Sequence, residues 1–305
     1  MKTILQVISL MLAVAFLFSS CGRSESNKTP QEEKKEKDGS VTVETIETEA
    51  FKMDYCRFGR GGKTLVILPG LSIQSVMGSA EAIAEAYQLF ADEYMVYVFE
   101  RRQELPQTYT VFDTARDTAA AFKAAGLGHI DLFGASYGGI VTMVIAAQYP
   151  ELIDNAMIAS TSACLSDEEY KTIENWISLA KDKGAEALYL AFGEAVYPRE
   201  VYEQSKELLI DAAKTVTEED MERFVILAEG MKGFDISGYL DKIQCPVLAI
   251  GDKSDNVLGA SVMEDICRYM EQKPDFESYM YDGYGHAVYD MAPDFKDRLL
   301  NFLKK

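Results

Sequence analysis

The segment Gly134-Ala135-Ser136-Tyr137-Gly138 joins an apolar, strand-like run, His129-Ile130-Asp131-Leu132-Phe133, to a helix-like run from Ile140 to Tyr149. That placement constrains the chain more than the letters do. A Gly-x-Ser-x-Gly string recurs by chance, but between a buried strand and a buried helix it describes a sharp turn that lifts one hydroxyl above a sheet edge. Strand and helix backbones must pass close to such a serine, and a Cβ two residues to either side would collide. Ser136 is therefore a candidate nucleophile.

The rest of the chain supplies a matching rhythm. Val41 to Glu47 and Phe51 to Phe58 read as a hairpin at a sheet edge. Thr64 to Leu68 is a short, continuous apolar run suited to a strand buried on both faces. Helix patterns at Ala80–Phe90 and Phe112–Ala125 flank a strand at Tyr94–Phe99, with Gly126 as a plausible C-cap. After the Ser136 helix comes a strand at Asn155–Ser160. This alternation predicts an α/β fold: a doubly wound, mostly parallel β-sheet with right-handed helical crossovers.

The rhythm breaks between Ser166 and about Leu240, where no convincing strand occurs. Helices are expected at Asp167–Lys183, Ala185–Phe192, Glu200–Lys214 and Glu218–Met231, the last opened by the acidic run Thr217-Glu218-Glu219-Asp220. Strand and helix then alternate again: Pro246–Ile250, Ala260–Met270, Phe276–Tyr281 and Pro293–Leu303. A helical insertion that returns to the same sheet reads as a cap, residues 163–240, over the strand ends, where ligands of open α/β sheets bind. Helical stretches such as Trp176–Leu179 and Leu188–Leu190 are candidates for the pocket wall or for the cap's own core.

The first twenty residues stand apart from the fold. Lys2 is their only charge, and Ile4 to Phe18 forms an apolar core of about fifteen residues, short of the ~20 of a membrane span but suited to a secretory signal. Its end, Leu17-Phe18-Ser19-Ser20-Cys21-Gly22, resembles the lipobox of bacterial lipoproteins, in which the cysteine is lipidated and becomes the mature N-terminus. An ordinary signal peptide is the alternative. Residues 21–40 are polar and charged, with no large apolar side chain, and are expected to form a disordered tether. The resemblance implies membrane anchoring through lipid on Cys21 and an extracytoplasmic location in a bacterium.

Composition excludes some functions for the 41–305 domain. The chain carries 30 Lys+Arg against 49 Asp+Glu, a net charge of −19, which disfavours a nucleic-acid partner whose phosphates need neutralising. Cys56, Cys164, Cys245 and Cys267 lack zinc-type spacing and the chain has only two histidines, so no metal is expected. Cys164 and Cys245 flank the cap, leaving open a bridge between them or two buried small hydrophobes.

A serine hydroxyl needs a base to take its proton. His129 opens the strand that ends at Ser136 and would lie roughly 20 Å away, at the wrong end of the sheet. His286 follows the strand Phe276–Tyr281 in the glycine-hinged loop Asp282-Gly283-Tyr284-Gly285-His286, and is the expected base. The carboxylate that orients it should come from Ile250-Gly251-Asp252-Lys253-Ser254-Asp255-Asn256, at the same sheet edge: Asp255 is favoured, and Asp252 is the alternative or an Asx-turn residue. The backbone N–H groups of Leu71, after the Pro69-Gly70 turn, and of Tyr137 would form the oxyanion hole. Arg101-Arg102 sit near that edge, either for surface salt bridges or for a substrate carboxylate.

The order Ser136…Asp255…His286, the Pro69-Gly70 turn and the interrupting cap together resemble the capped α/β-hydrolase family from about Val41 to the C-terminus. In that family the first turn position is commonly histidine and Ala135 commonly a larger residue, departures that bear on pocket shape. The resemblance implies a cofactor-free serine hydrolase acting on carboxylic esters or amides, with a small, apolar substrate. The same three residues also serve carbon–carbon hydrolases and cofactor-free haloperoxidases, and a non-catalytic ligand-binding lipoprotein remains a third possibility.

Overall fold

A computed structural model describes residues 40–305; the expected signal peptide, the lipidation at Cys21 and the tether up to residue 39 lie outside the described residues. Eight strands form one sheet: β1 (Thr42–Glu47), β2 (Lys52–Gly59), β3 (Lys63–Leu68), β4 (Tyr94–Arg102), β5 (Ile130–Ala135), β6 (Ile153–Ala159), β7 (Val247–Asp252) and β8 (Phe276–Tyr281), in the order 1-2-4-3-5-6-7-8. The β1–β2 hairpin and the β2–β4 pair are antiparallel, and every later pair is parallel. The carboxyl ends of β3 to β8 thus open on one side of the molecule.

The period of two along the central strands divides the core into two layers. Val66, Leu68 and Leu132 face one layer, packed against α2 (Val111–Ala124), α3 (Tyr137–Gln148) and α8 (Ala260–Met270). Leu65, Ile67, Phe133 and Ala135 face the other, against α1 (Ala80–Ala86) and α10 (Phe295–Leu303). Helix α3 is buried over nearly its whole surface, as expected of a helix that is apolar all round. It starts at Tyr137, three residues before the expected Ile140. Gly138 and Gly139 are weak helix formers and hide the start from a propensity reading.

Between β6 and β7 the chain builds the cap: α4 (Lys171–Asp182), α5 (Ala185–Val196), α6 (Arg199–Ala213) and α7 (Glu218–Glu229). Its two ends are clasped by a bridge between Cys164 and Asp235, with Leu165 N–H donating to the Phe234 carbonyl at 3.0 Å and Ile236 N–H to Ala163 at 2.8 Å. Helix α4 begins four residues later than expected because Ser166 and Glu169 close a separate hydrogen-bonded turn ahead of it. The unanticipated α9 (Val288–Met291) is a single turn, too short to leave a periodic pattern. The four described cysteines are all free, so Cys164 and Cys245 form no bridge; Cys245 is buried as a small hydrophobe.

Candidate active site

Ser136 closes β5 with φ 53° and ψ −119°, a left-handed conformation that strains a residue bearing a Cβ. Three features hold it there. A Cβ at Gly134 would overlap the Gly138 carbonyl, and one at Gly138 would overlap the carbonyls of Leu68 and Pro69, so both positions require glycine. The Ser136 N–H donates to the Ala159 carbonyl at 2.8 Å, pinning the turn to β6. Thr161 Oγ1 donates to the Ser136 carbonyl at 2.8 Å from a segment itself bent by a positive φ of 45° at Ser160. Nothing in the Thr161 sequence context marks this role; only the pairing of β5 with β6 shows it.

His286 reaches the serine from the β8–α9 loop, whose Gly283 and Gly285 carry φ of 94° and 70°. Its Nε2 lies 2.9 Å from Ser136 Oγ and its Nδ1 2.8 Å from Asp255 Oδ2. The imidazole and the Asp255 carboxylate are almost fully buried, at 3 % and 2 % exposure. Burial raises the Asp255 pKa, but the His286 charge, its hydrogen bond and the N–H groups of Leu258 and Val257 outweigh that and hold the carboxyl below its ordinary value. Asp255 therefore stays ionised where a charge is needed to orient the ring.

Asp252, the alternative, is turned to other work. It accepts N–H bonds from Ser254 (2.7 Å), Gly283 (3.3 Å) and Tyr284 (2.9 Å), tying the end of β7 to the loop that carries His286. Two carboxylates three residues apart thus divide the task, one meeting the imidazole and one bracing its loop. His129 lies at the far end of β5, exposed, with Nδ1 3.1 Å from Asp154.

Gly70 runs against the serine: a Cβ there would stand 3.3 Å from Ser136 Cβ. Leu71 follows Gly70 in the chain as Tyr137 follows Ser136, so the two segments that carry these amides meet at this contact. Tyr137 is the first residue of α3, so its N–H has no intrahelical partner and lies at the positive end of the helix dipole. Its phenol is buried, 2.6 Å from Thr114 Oγ1. Arg101 departs from expectation. It is neither a surface ion pair nor open to a substrate, being 3 % exposed and donating to the carbonyls of Pro69 (3.2 Å) and Gly70 and to Glu100 (3.0 Å). Arg102 pairs with Asp117 at 3.3 Å.

A cavity of about 320 Å³ opens beside the site, between residues 71–79 and the cap helices α5 and α6. Its walls include Leu71, Ile73, Phe192, Tyr197 and Leu209, and no charged side chain. Burial pushes the phenols of Tyr189 and Tyr197 up, so both stay neutral. Tyr189 and Gln74 close a hydrogen bond of 2.9 Å across the cavity wall. Ser136 is not itself part of the lining; Leu71 and Tyr197 join cavity and site. The Val196 carbonyl, beside Tyr197, accepts the Ala287 N–H at 3.1 Å and packs against Gly285, so the end of α5 touches the loop that carries His286. Of the stretches read as candidate walls, Tyr189 lines the cavity, whereas Trp176 packs on Phe192 at 4.5 Å within the cap.

This architecture and this meeting of side chains define a class, and comparison with known proteins agrees. The chain belongs to the alpha/beta hydrolase fold family, whose model matches residues 63–234. It is a hydrolase. Among curated relatives, a putative carbamate hydrolase RutD of Agrobacterium fabrum is 24 % identical over 252 residues, covering 79 % of this chain and 95 % of the relative. Human serine hydrolase BPHL is 24 % identical over 228 residues, 71 % of each chain. MGS-M2, an alpha/beta hydrolase enzyme from a Medee basin deep-sea metagenome library, superposes with a TM-score of 0.76 at 20 % identity, over 86 % of this chain and 98 % of its own.

Proposed function

We propose that this protein is a serine hydrolase of carboxylic esters working through an acyl-enzyme on Ser136. The observation that carries the proposal is the continuous hydrogen-bonded line from Ser136 Oγ through His286 to Asp255. His286 takes the serine proton as Oγ attacks the acyl carbon, while Asp255 fixes the tautomer and stabilises the cationic ring. The oxyanion is met by the N–H groups of Leu71 and Tyr137, each donor of this kind contributing about 2.7–4 kcal/mol to the transition state. His286 then returns the proton to the leaving alcohol. Water, deprotonated by the same imidazole, attacks the acyl carbon; the Oγ–acyl bond breaks, the acid leaves and Ser136 regains its proton.

The uncharged, mostly apolar cavity supports a neutral, apolar substrate. A relative named as a putative carbamate hydrolase and one named as a serine hydrolase support attack by a serine at an acyl carbon bonded to oxygen or nitrogen, with amides as slower substrates. A fluorophosphonate probe is expected to label the wild type and not Ser136→Ala. Folded wild-type protein that resists the probe and turns over no ester in a panel of varied acyl length sinks the proposal.

The proposal includes a lipid anchor on Cys21 and work outside the cytoplasm, supported by the leader and the polar tether that follows it. Two acyl chains suffice for stable anchoring. Cys21→Ser should shift the protein from the membrane to the soluble fraction and abolish labelling by a fatty-acid analogue; unchanged fractionation refutes the anchor.

A further inference from the structure

We propose that Arg101 is the positioning residue of the oxyanion hole: its guanidinium grips the Gly70–Leu71 peptide from behind and aims the Leu71 N–H at the reacting oxygen. This inference rests on the serine-hydrolase reading above.

Peptide geometry carries the argument. No peptide bond among the described residues is cis, and in a trans unit the carbonyl oxygen and the following N–H point in opposite directions. Arg101 Nη2 donates to the carbonyl oxygen of Gly70, whose partner across the same peptide is the N–H of Leu71. It also donates to the Pro69 carbonyl at 3.2 Å, gripping two successive peptides. The Leu71 N–H therefore points away from the guanidinium, along a direction fixed at the far end of the unit. A positive donor on the carbonyl also polarises the amide and strengthens its N–H, the cooperative effect of linked hydrogen bonds.

The same guanidinium lies 5.3 Å from the ring centroid of Tyr137, the residue whose N–H is the second donor. One side chain thus touches both segments that would face the oxyanion, while itself lying behind them and out of reach of substrate. Arg101 is in turn held by Glu100 at 3.0 Å, and Glu100 accepts the Val76 N–H at 2.9 Å from the far end of the same loop. Arg223 of α7 completes the brace. It donates to the carbonyls of Arg101 (3.1 Å), Arg102 (2.7 Å) and Gln103 (2.8 Å) and lies 3.8 Å from Glu100. Lysine could not reproduce this arrangement, because it lacks the planar fork needed to reach Glu100 and two carbonyls at once.

The test compares Arg101→Lys with the charge-neutral pair Glu100→Gln/Arg101→Met, using p-nitrophenyl butyrate as substrate and an alkylboronic acid as tetrahedral analogue. Both variants should stay folded with a lowered unfolding temperature, because each leaves buried partners short of a hydrogen bond. Their kcat should fall about 10- to 100-fold with KM within about twofold, part of the ~10²–10³ typical for loss of a whole oxyanion donor. Boronate affinity should weaken by a factor that tracks kcat/KM, because only the tetrahedral species uses the aimed N–H. Folded variants with unchanged kcat, or with loss confined to KM, overturn the inference, as does loss of kcat with boronate affinity intact. Arg101→Lys keeps the buried charge and decides the matter if the double variant fails to fold. Should Ser136→Ala retain activity and probe labelling, the parent reading fails instead, and that result is distinct from any outcome at Arg101.

Discussion

The strand-end loops and the helical cap face each other across one cavity, yet they are held by different means. On the sheet side the charged groups are buried and paired: Glu100 with Arg101, and Asp255 with His286. Two residues with side chains, Ser136 and Ser160, keep left-handed backbones there. Arg223 of the cap, largely buried, reaches the sheet side 3.8 Å from Glu100, but within the cap pairs such as Lys181–Glu229 at 2.5 Å and Lys206–Glu203 at 2.7 Å are exposed. Such pairs add little to stability. The cap gains its order from amphipathic packing and from end caps such as the Thr217–Asp220 capping box. Reaction geometry thus sits on the half that tolerates least change, and substrate fit on the half that tolerates most.

That division is open to attack. Among variants that keep the nucleophile, the largest expected effect is at the orienting carboxylate. Asp255→Asn should reduce kcat about 10⁴-fold by favouring the wrong imidazole tautomer, whereas Asp252→Asn, which only loosens the loop, should cost about tenfold. Equal losses would mean that the two carboxylates are not divided as their contacts imply. Next, Gly138→Ala drives a Cβ into the Leu68 carbonyl and should destabilise the fold by about 1–3 kcal/mol in chemical denaturation, with loss of activity. In the cap, Phe192→Ala enlarges the cavity and should shift acyl preference about tenfold toward longer chains in a kcat/KM series, with kcat on the best ester little changed. Ser136→Gly removes the penalty of a left-handed serine and should raise stability by about 1 kcal/mol while abolishing turnover. Finally, Thr217→Ala deletes a helix cap and should cost about 1 kcal/mol of stability with turnover unaltered.

The fold was legible because each central strand is a short apolar run bounded by turn residues, and the cap shows up as seventy-odd residues of helical period without a strand. Ser136, Asp255 and His286, chosen from sequence on chain order and strand ends, do meet in space. Other features were not legible. Asp252 ends β7 and Asp255 follows three residues later, and only their contacts separate their duties: Asp255 meets His286, whereas Asp252 takes the Gly283 and Tyr284 amides. Arg101 looked like half of an exposed basic pair, but β4 is buried on both faces from Val98 to Arg101, and only Arg102, which pairs with the buried Asp117, keeps partial exposure. The signal that could have exposed it is Glu100, a carboxylate placed directly after the apolar run that ends at Phe99, which if buried demands a cation nearby. The α9 turn and the contact of α5 with the His286 loop depend on tertiary packing, which local periodicity does not encode.

The hydrogen bond from Ala287 to the end of α5 joins two parts usually considered apart. The neighbour of the imidazole is thereby fastened to a wall of the cavity, so any displacement of the end of α5 that breaks this bond would also loosen the loop that carries His286. Hydrogen exchange at the Ala287 amide should then report how firmly the two are joined.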